Sequence, residues 1–467
     1  LANGIWVFDC EGDGLNPTKL YCLAACSPQG KNVFVTNDYD KMRKFLLSAK
    51  VLIGHNIRRW DIPHIERILG IKITAKLVDT LSLSWYLYPE RFNHGLDGWG
   101  EDLGVKKPVI TDWLNQTQEE YEHRCSEDVK INVMLWNKMY RYLFDIYGSS
   151  DGVWKLLKYL DFKLYCAMLQ ERSQWKLDIE NAEQALAELT ELQSQKIDTL
   201  ARKMPPVPVV TFKHKPKRFL NKDGSYSKMG MDWMALLSER KLPPSHEEPI
   251  EITKGYEQGN PNSTSQIKDW LTTLGWVPRT FKEVKNKTTG EVKSNSQINL
   301  EHGKGICGSI KALYPKEPSL ELLDGLSVLQ HRIGILKGFL RDQENGWIKA
   351  QVAGLTNTLR FKHTTIVNLP KPGKLYADGI RASLVAGEGM ILCGADMSSL
   401  EDRIKQHFIY PYDPDFVKEM MEEGYDPHLS LALSASAVTI EQVLKYKDGT
   451  DKGISPTRDV FKNGNYA

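Results

Sequence analysis

The chain has 467 residues, of which 41% are hydrophobic and 26% charged, and its 61 Lys and Arg stand against 59 Asp and Glu for a net charge of +2. These values exclude global disorder, a collagen-like repeat and a strongly basic histone-like binder, while leaving room for an enzyme with a local basic groove. At roughly 100–200 residues per domain, the length argues for about three domains.

Seven cysteines, none in a CxxC pair, speak against a disulfide scaffold or structural zinc site and for a reducing, cytosolic compartment. No apolar run reaches the length of a membrane span, and no signal-peptide pattern opens the chain. The sequence starts at Leu1 and enters a strand-like run almost at once, so residues before it are expected to be missing.

In chain order, Ile5–Phe8, Leu20–Ala25 and Asn32–Val35 predict a three-strand meander. A helix follows near Asp40–Ser48, then a buried strand at Val51–Ile53 and a helix from Ile62 to Leu69. Residues 118–145 carry apolar positions at helical spacing, including Val129, Val133, Leu135, Met139 and Leu143. Residues 1–145 thus predict an α/β domain. Residues 150–200 predict helix, which Pro205-Pro206 stops. Residues 202–222 hold Arg202, Lys203, Lys213, Lys215, Lys217, Arg218 and Lys222 with no acid among them, and Phe212 and Phe219 interleave. Residues 223–300 read as loop-rich, with a hairpin at 281–293 turning at Thr289-Gly290. Helix returns over 318–342. Residues 347–395 read as strands, including a buried strand at Met390–Cys393, and helices dominate from Leu400 onward.

Chemistry-bearing residues first appear in Val7-Phe8-Asp9-Cys10-Glu11-Gly12. Two carboxylates at i and i+2 on a strand share a face, and like charges so close call for a divalent cation between them. Asp61, in Gly54-His55-Asn56-Ile57-Arg58-Arg59-Trp60-Asp61, falls near a helix start, and Asp128 falls within the 118–145 helix. Each acid alone reads equally well as a helix cap or solvated residue. Together, FDxEG, GHNxxxxD and a late helical Asp resemble the DEDD superfamily of 3′–5′ exonucleases; Val78-Asp79-Thr80-Leu81 and Asn93-His94-Gly95-Leu96 fit the same pattern. The resemblance covers residues 1–145. It implies a ribonuclease-H-like fold in which Asp9, Glu11, Asp61 and Asp128 bind two metal ions. The superfamily's general base is a Tyr in YxxxD or a His in HxxxxD. The Tyr slot holds Arg124 here and the His slot holds His123, so His123 is the expected base, with Tyr121 as the alternative.

A second constellation lies near the C-terminus. Gly394-Ala395-Asp396 is followed by Ser398, Ser399, Leu400, Glu401, Asp402 and Arg403, which resembles motif A (DxSxxExR) of the family A DNA polymerases. Thr358-Leu359-Arg360-Phe361 with Asn368-Leu369-Pro370 resembles that family's TGRxSxxxxNxQNxP segment, with Leu359 where Gly is usual. Asn260-Pro261-Asn262-Ser263, Gln266 and Leu274-Gly275-Trp276 resemble its thumb-tip signature, and Asp426-Pro427-His428 the start of a fingers helix. Arg458, Lys462 and Tyr466, at i, i+4 and i+8, resemble the nucleotide-binding O helix. Trp270 and Trp276 read as core.

This resemblance implies a right-hand polymerase of bacteriophage kind with a helical thumb, an α/β palm and helical fingers. The expected divisions are exonuclease 1–148, thumb 149–342, first part of the palm 343–410 and partial fingers 411–467. It implies that Asp396 and the Met397 carbonyl bind metal, while Met397, Glu401, His428, Arg458, Lys462 and Tyr466 bind the incoming nucleotide. Arg360, Asn260, Ser263, Gln266, Lys213, Lys215, Lys217 and Arg218 would contact DNA. The cofactor is Mg²⁺, two ions per site, with Mn²⁺ as a substitute. Partners are primer-template DNA, dNTPs and a single-stranded DNA 3′ end, with room for a processivity factor or second polymerase fragment, and no membrane. The location implied is the cytoplasm of a bacterial host. No segment resembling the family's second catalytic palm aspartate occurs before Ala467, so a continuation or second chain is expected to carry it. The rival readings are an exonuclease with a degenerate polymerase half and a non-catalytic DNA-binding subunit.

Overall fold

The computed structural model describes residues 4–108, 116–285, 290–300 and 305–466. They divide into two compact units, Leu1–Met390 and Ile391–Ala467.

The first unit begins with strands β1 (Ile5–Gly12), β2 (Leu20–Cys26) and β3 (Phe34–Thr36), helix α1 (Tyr39–Ser48), strand β4 (Val51–Gly54), helix α2 (Asp61–Leu69) and strand β5 (Lys76–Asp79). Helices α3 (Thr80–Leu87), α4 (Leu96–Leu103), α5 (Gln118–Tyr147) and α6 (Ser150–Ser173) follow. The sheet order is β3-β2-β1-β4-β5, with an antiparallel meander through β1 and parallel pairing from β1 to β5. The meander and the first helices thus match the sequence expectation.

The two-residue alternation of β1 decides everything downstream. Trp6, Phe8 and Cys10 pack on the face covered by α1 and α2. Val7 packs on the opposite face, with α3, α4 and α5, and the alternation places Asp9 and Glu11 on that face too. Helix α5 starts with a capping box, in which Thr117 and Glu120 satisfy each other's backbone N–H groups. Its apolar positions clamp it to the sheet, which fixes where Asp128 lies.

The link from β4 to α2 is a tight turn. A Cβ at Gly54 would lie 2.1 Å from the Ile57 side chain, so only glycine permits the approach. Asn56 takes a left-handed conformation with φ 63°. Asp79 holds this turn from the end of β5: one carboxylate oxygen accepts from Asn56 N at 3.0 Å and Leu81 N at 3.0 Å, the other from Arg58 N at 3.2 Å. Arg58 and Arg59 then make bidentate pairs with Asp161 and Glu171 of α6, tying the turn to the rest of the unit.

The remainder of the unit runs through β6 (Trp175–Leu177), α7 (Ile179–Lys203), β7 (Val207–Lys213), α8 (Lys228–Glu239), β8 (Ile250–Glu257), α9 (Thr264–Thr273), β9 (Phe281–Lys285) and β10 (Val292–Ser296). Then come the short α10 (Gly308–Lys311), a 3₁₀ turn at Pro318–Leu323, α11 (Leu326–Asp342), β11 (Trp347–Ile348), β12 (Val352–Leu355), β13 (Phe361–His363), α12 (Asp378–Ala382) and β14 (Leu384–Val385). The region expected to be loop-rich is more ordered than its composition suggests. Strands β7 and β8 pair antiparallel, and α8 buries Trp233, Leu236 and Leu237 against Ile250. The β9–β10 hairpin forms as expected, while Thr289 in its turn lies outside the described residues. Trp270 and Trp276 are core residues of the cluster around α9.

The second unit holds α13 (Leu400–Ile409), α14 (Pro414–Met420), α15 (Pro427–Ser434), α16 (Ile440–Lys447) and α17 (Ser455–Tyr466). Its small core gathers Leu429, Ala432, Val438, Val443 and Ile454. The expected buried strand Met390–Cys393 is not formed: the segment has no regular structure, and Ile391 is 83% exposed. A strand needs a partner for its backbone groups, and among the described residues none pairs with this run.

Replacing Asp79 by alanine removes the acceptor for three backbone N–H groups and should destabilise the chain by about 1–3 kcal/mol. Urea denaturation of the variant against the parent measures the loss.

Candidate functional site

Asp9 and Glu11 from β1, Asp61 from the first turn of α2 and Asp128 from α5 line one cleft of about 220 Å³, with Cys10, His55, Asn56, Trp60, Leu96, Lys107 and Arg124 completing its wall. One carboxylate oxygen from each of Asp9, Glu11 and Asp128 lies within 4.8 Å of the others. Oδ1 of Asp128 is buried without a hydrogen-bond partner among the described residues. Hard oxygen donors in this number and spacing fit a divalent ion such as Mg²⁺. Asp61 is turned differently, its Oδ1 accepting from Cys10 Sγ at 3.2 Å.

Burial and mutual repulsion govern the acids. Asp9 is pushed well above the usual carboxylate range by burial first, then by the charges of Asp128, Asp61 and Glu11. Burial also raises Glu11, against the downward pull of Arg124, and Asp128, against that of Lys107. Asp61 is pushed up to about 7, chiefly by burial. Two cations relieve the repulsion: Arg124 Nε donates to Glu11 Oε1 at 3.0 Å, and Lys107 Nζ to Asp128 Oδ2 at 2.5 Å.

His123 and Tyr121 do not join the cleft. His123 is exposed on α5, and Tyr121 is buried in the core, stacked on Tyr21 with centroids 3.9 Å apart. The α5 side chain that reaches Glu11 is Arg124, the occupant of the Tyr slot. Sequence reading missed Lys107 and the pairing of Arg124. It also left His55 unassigned; His55 lines the cleft, its Nδ1 lies 2.9 Å from Thr80 Oγ1, and burial pushes it down to about 3, so it is neutral.

Elsewhere in the first unit, Ser263 caps α9 by accepting from Gln266 N at 3.4 Å, and Gln266 Oε1 accepts from Asn260 N at 2.7 Å. These bonds close the Asn260–Ser263 turn onto the N-terminus of α9. Leu359 takes φ 61°, so the left-handed turn usual for glycine is kept with a branched side chain. Arg360 follows at its end. Lys213, Lys217 and Arg218 are exposed, while Lys215 pairs with Glu247 at 2.7 Å.

Within the second unit, Asp396, Met397 and Glu401 are exposed, and Ser399 enters α13 with φ 50°. Asp426 brings two predicted residues together: it caps α15 by accepting from the backbone of His428 and Leu429, and its Oδ2 accepts from Arg458 Nε of α17 at 2.7 Å. Lys462 is exposed one turn further on. Tyr466 ends α17, and its side chain lies outside the described ones.

No family model matches the chain, and no curated protein matches it. Among solved structures, the polymerase domain of Pol1 from M. smegmatis, in complex with DNA primer-template and dNTP, aligns with 99% of this chain and 66% of its own at 15% identity, with a TM-score of 0.55. The chain shares that domain's fold. It spans just under two thirds of that protein's length. The NrnC protein of Brucella melitensis aligns with 36% of this chain and 87% of its own at 19% identity, with a TM-score of 0.30. NrnC with bound Mg²⁺ aligns likewise, at 18% identity and a TM-score of 0.29. Among the described residues no helix is long and apolar enough to cross a membrane.

The raised Asp61 has a stability consequence. A carboxyl that titrates near 7 when folded and near 3.8 when unfolded binds more protons in the folded state between those values. Its contribution is fully present below pH 3.8 and lost as pH rises through 7. In EDTA, Asp61→Asn should therefore gain stability over the parent as pH rises from about 4 to 7, measured by thermal unfolding across that range.

Proposed function

We propose that the chain is the exonuclease-bearing part of a family A DNA polymerase of bacteriophage kind. Its first 148 residues, a ribonuclease-H-like domain, would remove mispaired 3′ ends by divalent-metal-assisted phosphodiester hydrolysis. The observation that carries this reading is the convergence of Asp9, Glu11, Asp61 and Asp128, from three separate elements, on one cleft. Shared fold alone does not assign a function, so the weight rests on these residues.

Asp9, Glu11, Asp61 and Asp128 would hold divalent ions, two in this reading, and these would supply charge stabilisation for the attacking and leaving oxygens. The chain's own groups do the positioning. Asp9 and Glu11 hold their carboxylates on a rigid strand, and Asp128 faces them from α5. Asp61 approaches from the α2 turn that Asp79 fixes. Trp60 and Asn56 line the cleft and would orient the terminal nucleotide. His123 faces solvent, so deprotonation of the attacking water is not assigned to an α5 side chain.

The polymerase half rests on the motifs around Asp396 together with the shared fold. Asp396 and the Met397 carbonyl would hold metal in the palm, with Glu401 beneath the sugar of the incoming dNTP. His428, Arg458, Lys462 and Tyr466 would bind its triphosphate and sugar. The Asp426 pairing supports this, since it orients Arg458 beside His428. Asn260, Ser263, Gln266, Arg360 and the cations Lys213, Lys215, Lys217 and Arg218 would follow the DNA backbone, making binding salt-dependent.

Combining Asp9→Ala with Glu11→Ala should lower 3′-end digestion of single-stranded DNA by at least about 10³-fold while leaving primer extension by the polymerising enzyme intact. Asp396→Ala should give the converse. End-labelled primers resolved on denaturing gels report both, and loss of both activities in either variant would refute the two-site reading.

A further inference from the structure

The cleft carries its own cations, in a pattern that bears on how it loads metal. Each of two acids has one oxygen engaged by a cation. Asp128 gives Oδ2 to Lys107 and keeps a buried, unpartnered Oδ1. Glu11 gives Oε1 to Arg124. These pairs are sheltered: the side-chain exposures are 20% and 5% for Lys107 and Asp128, and 12% and 13% for Arg124 and Glu11. The attraction within a sheltered pair is stronger than at the surface, because water screens it less. Arg124 is also held by α5 and by a second bond from its Nη1 to Pro108 O at 3.4 Å.

The charges fit this arrangement. Four carboxylates line the cleft, and two divalent ions would balance them fully. With Lys107 and Arg124 present, a single divalent ion balances what remains. One carboxylate oxygen from each of Asp9, Glu11 and Asp128, within 4.8 Å of the others, suits one ion that keeps several waters. Asp61, the fourth acid, is engaged by Cys10.

We propose that Lys107 and Arg124 are internal counter-ions that stand in for the second divalent ion of this cleft, so that full metal loading requires their displacement. They are positioning residues, acting through Asp128 and Glu11. The inference rests on the metal reading of the cleft and adds a competitor to it. A second ion then enters only when Lys107 and Arg124 swing away, and the negative phosphates of a bound nucleic-acid strand are the natural acceptors for them.

Mn²⁺ binding to the full chain, followed by electron paramagnetic resonance, tests this. Binding lost in a chain carrying Asp9→Asn and Glu11→Gln belongs to the cleft. The parent should hold one ion there. Lys107→Met and Arg124→Met should each tighten Mn²⁺ by at least about tenfold, and together admit a second ion. Lys107→Arg and Arg124→Lys keep the charge and should bind as the parent does. Unchanged or weakened binding in the methionine variants overturns the inference, as does tightening in the charge-keeping ones. Thermal unfolding gives an independent readout: the methionine variants should melt below the parent in EDTA and regain the difference in Mn²⁺. A deficit that Mn²⁺ leaves in place overturns the inference. If the Asp9→Asn and Glu11→Gln chain loses no Mn²⁺ at all, the metal reading itself fails, a result distinct from these.

Discussion

Repulsion between buried carboxylates is the constraint around which the first unit is organised. Asp9, Glu11 and Asp128 stand within one ion's reach of each other in one cleft, Asp128 buried and the other two half-buried. Such an arrangement is stable only with compensating positive charge or bound protons. The surroundings supply rigidity for this purpose: a paired β1, a capped α5 and an α2 turn bonded by Asp79 and clamped through Arg58 and Arg59. A functional arrangement of this kind works against folding stability, and the cores on either face of the sheet offset it.

Much of this was legible in the sequence because it depends on local rules. The i, i+2 acids of β1 share a face through strand geometry, and α5 announces itself by its apolar spacing. What escaped were pairings across long separations. Arg124 meets Glu11 across 113 positions, and Lys107 meets Asp128 across 21, and nothing local marks either pair. The helical register explains why Arg124 rather than His123 turns inward. It lies four residues before Asp128 and so on the same helix face, whereas His123 lies five before it.

Elsewhere pairing, not composition, decides which segments are strands. Val207–Lys213 holds a proline, and pairing with β8 nonetheless makes it a strand. The apolar run Met390–Cys393 shows the reverse. Hydrophobicity without a partner edge does not make a strand, and this one stays irregular. Leu359 lies between these cases: the turn is kept although the residue that makes it easy is absent, so the surrounding fold imposes the backbone.

The length of α5 carries a consequence for how this protein can vary. It is one uninterrupted helix of 30 residues, capped at Thr117, and Asp128 is reached along it in three turns. Each inserted or deleted residue within an α-helix rotates everything beyond it by about 100°. One such event between Thr117 and Asp128 would aim the acid away from β1 or pull the apolar stripe off the sheet. Insertions and deletions are therefore excluded from that stretch, while point substitutions on its solvent side are tolerated. Relatives that share the cleft should keep this interval constant in length even where they share few residues.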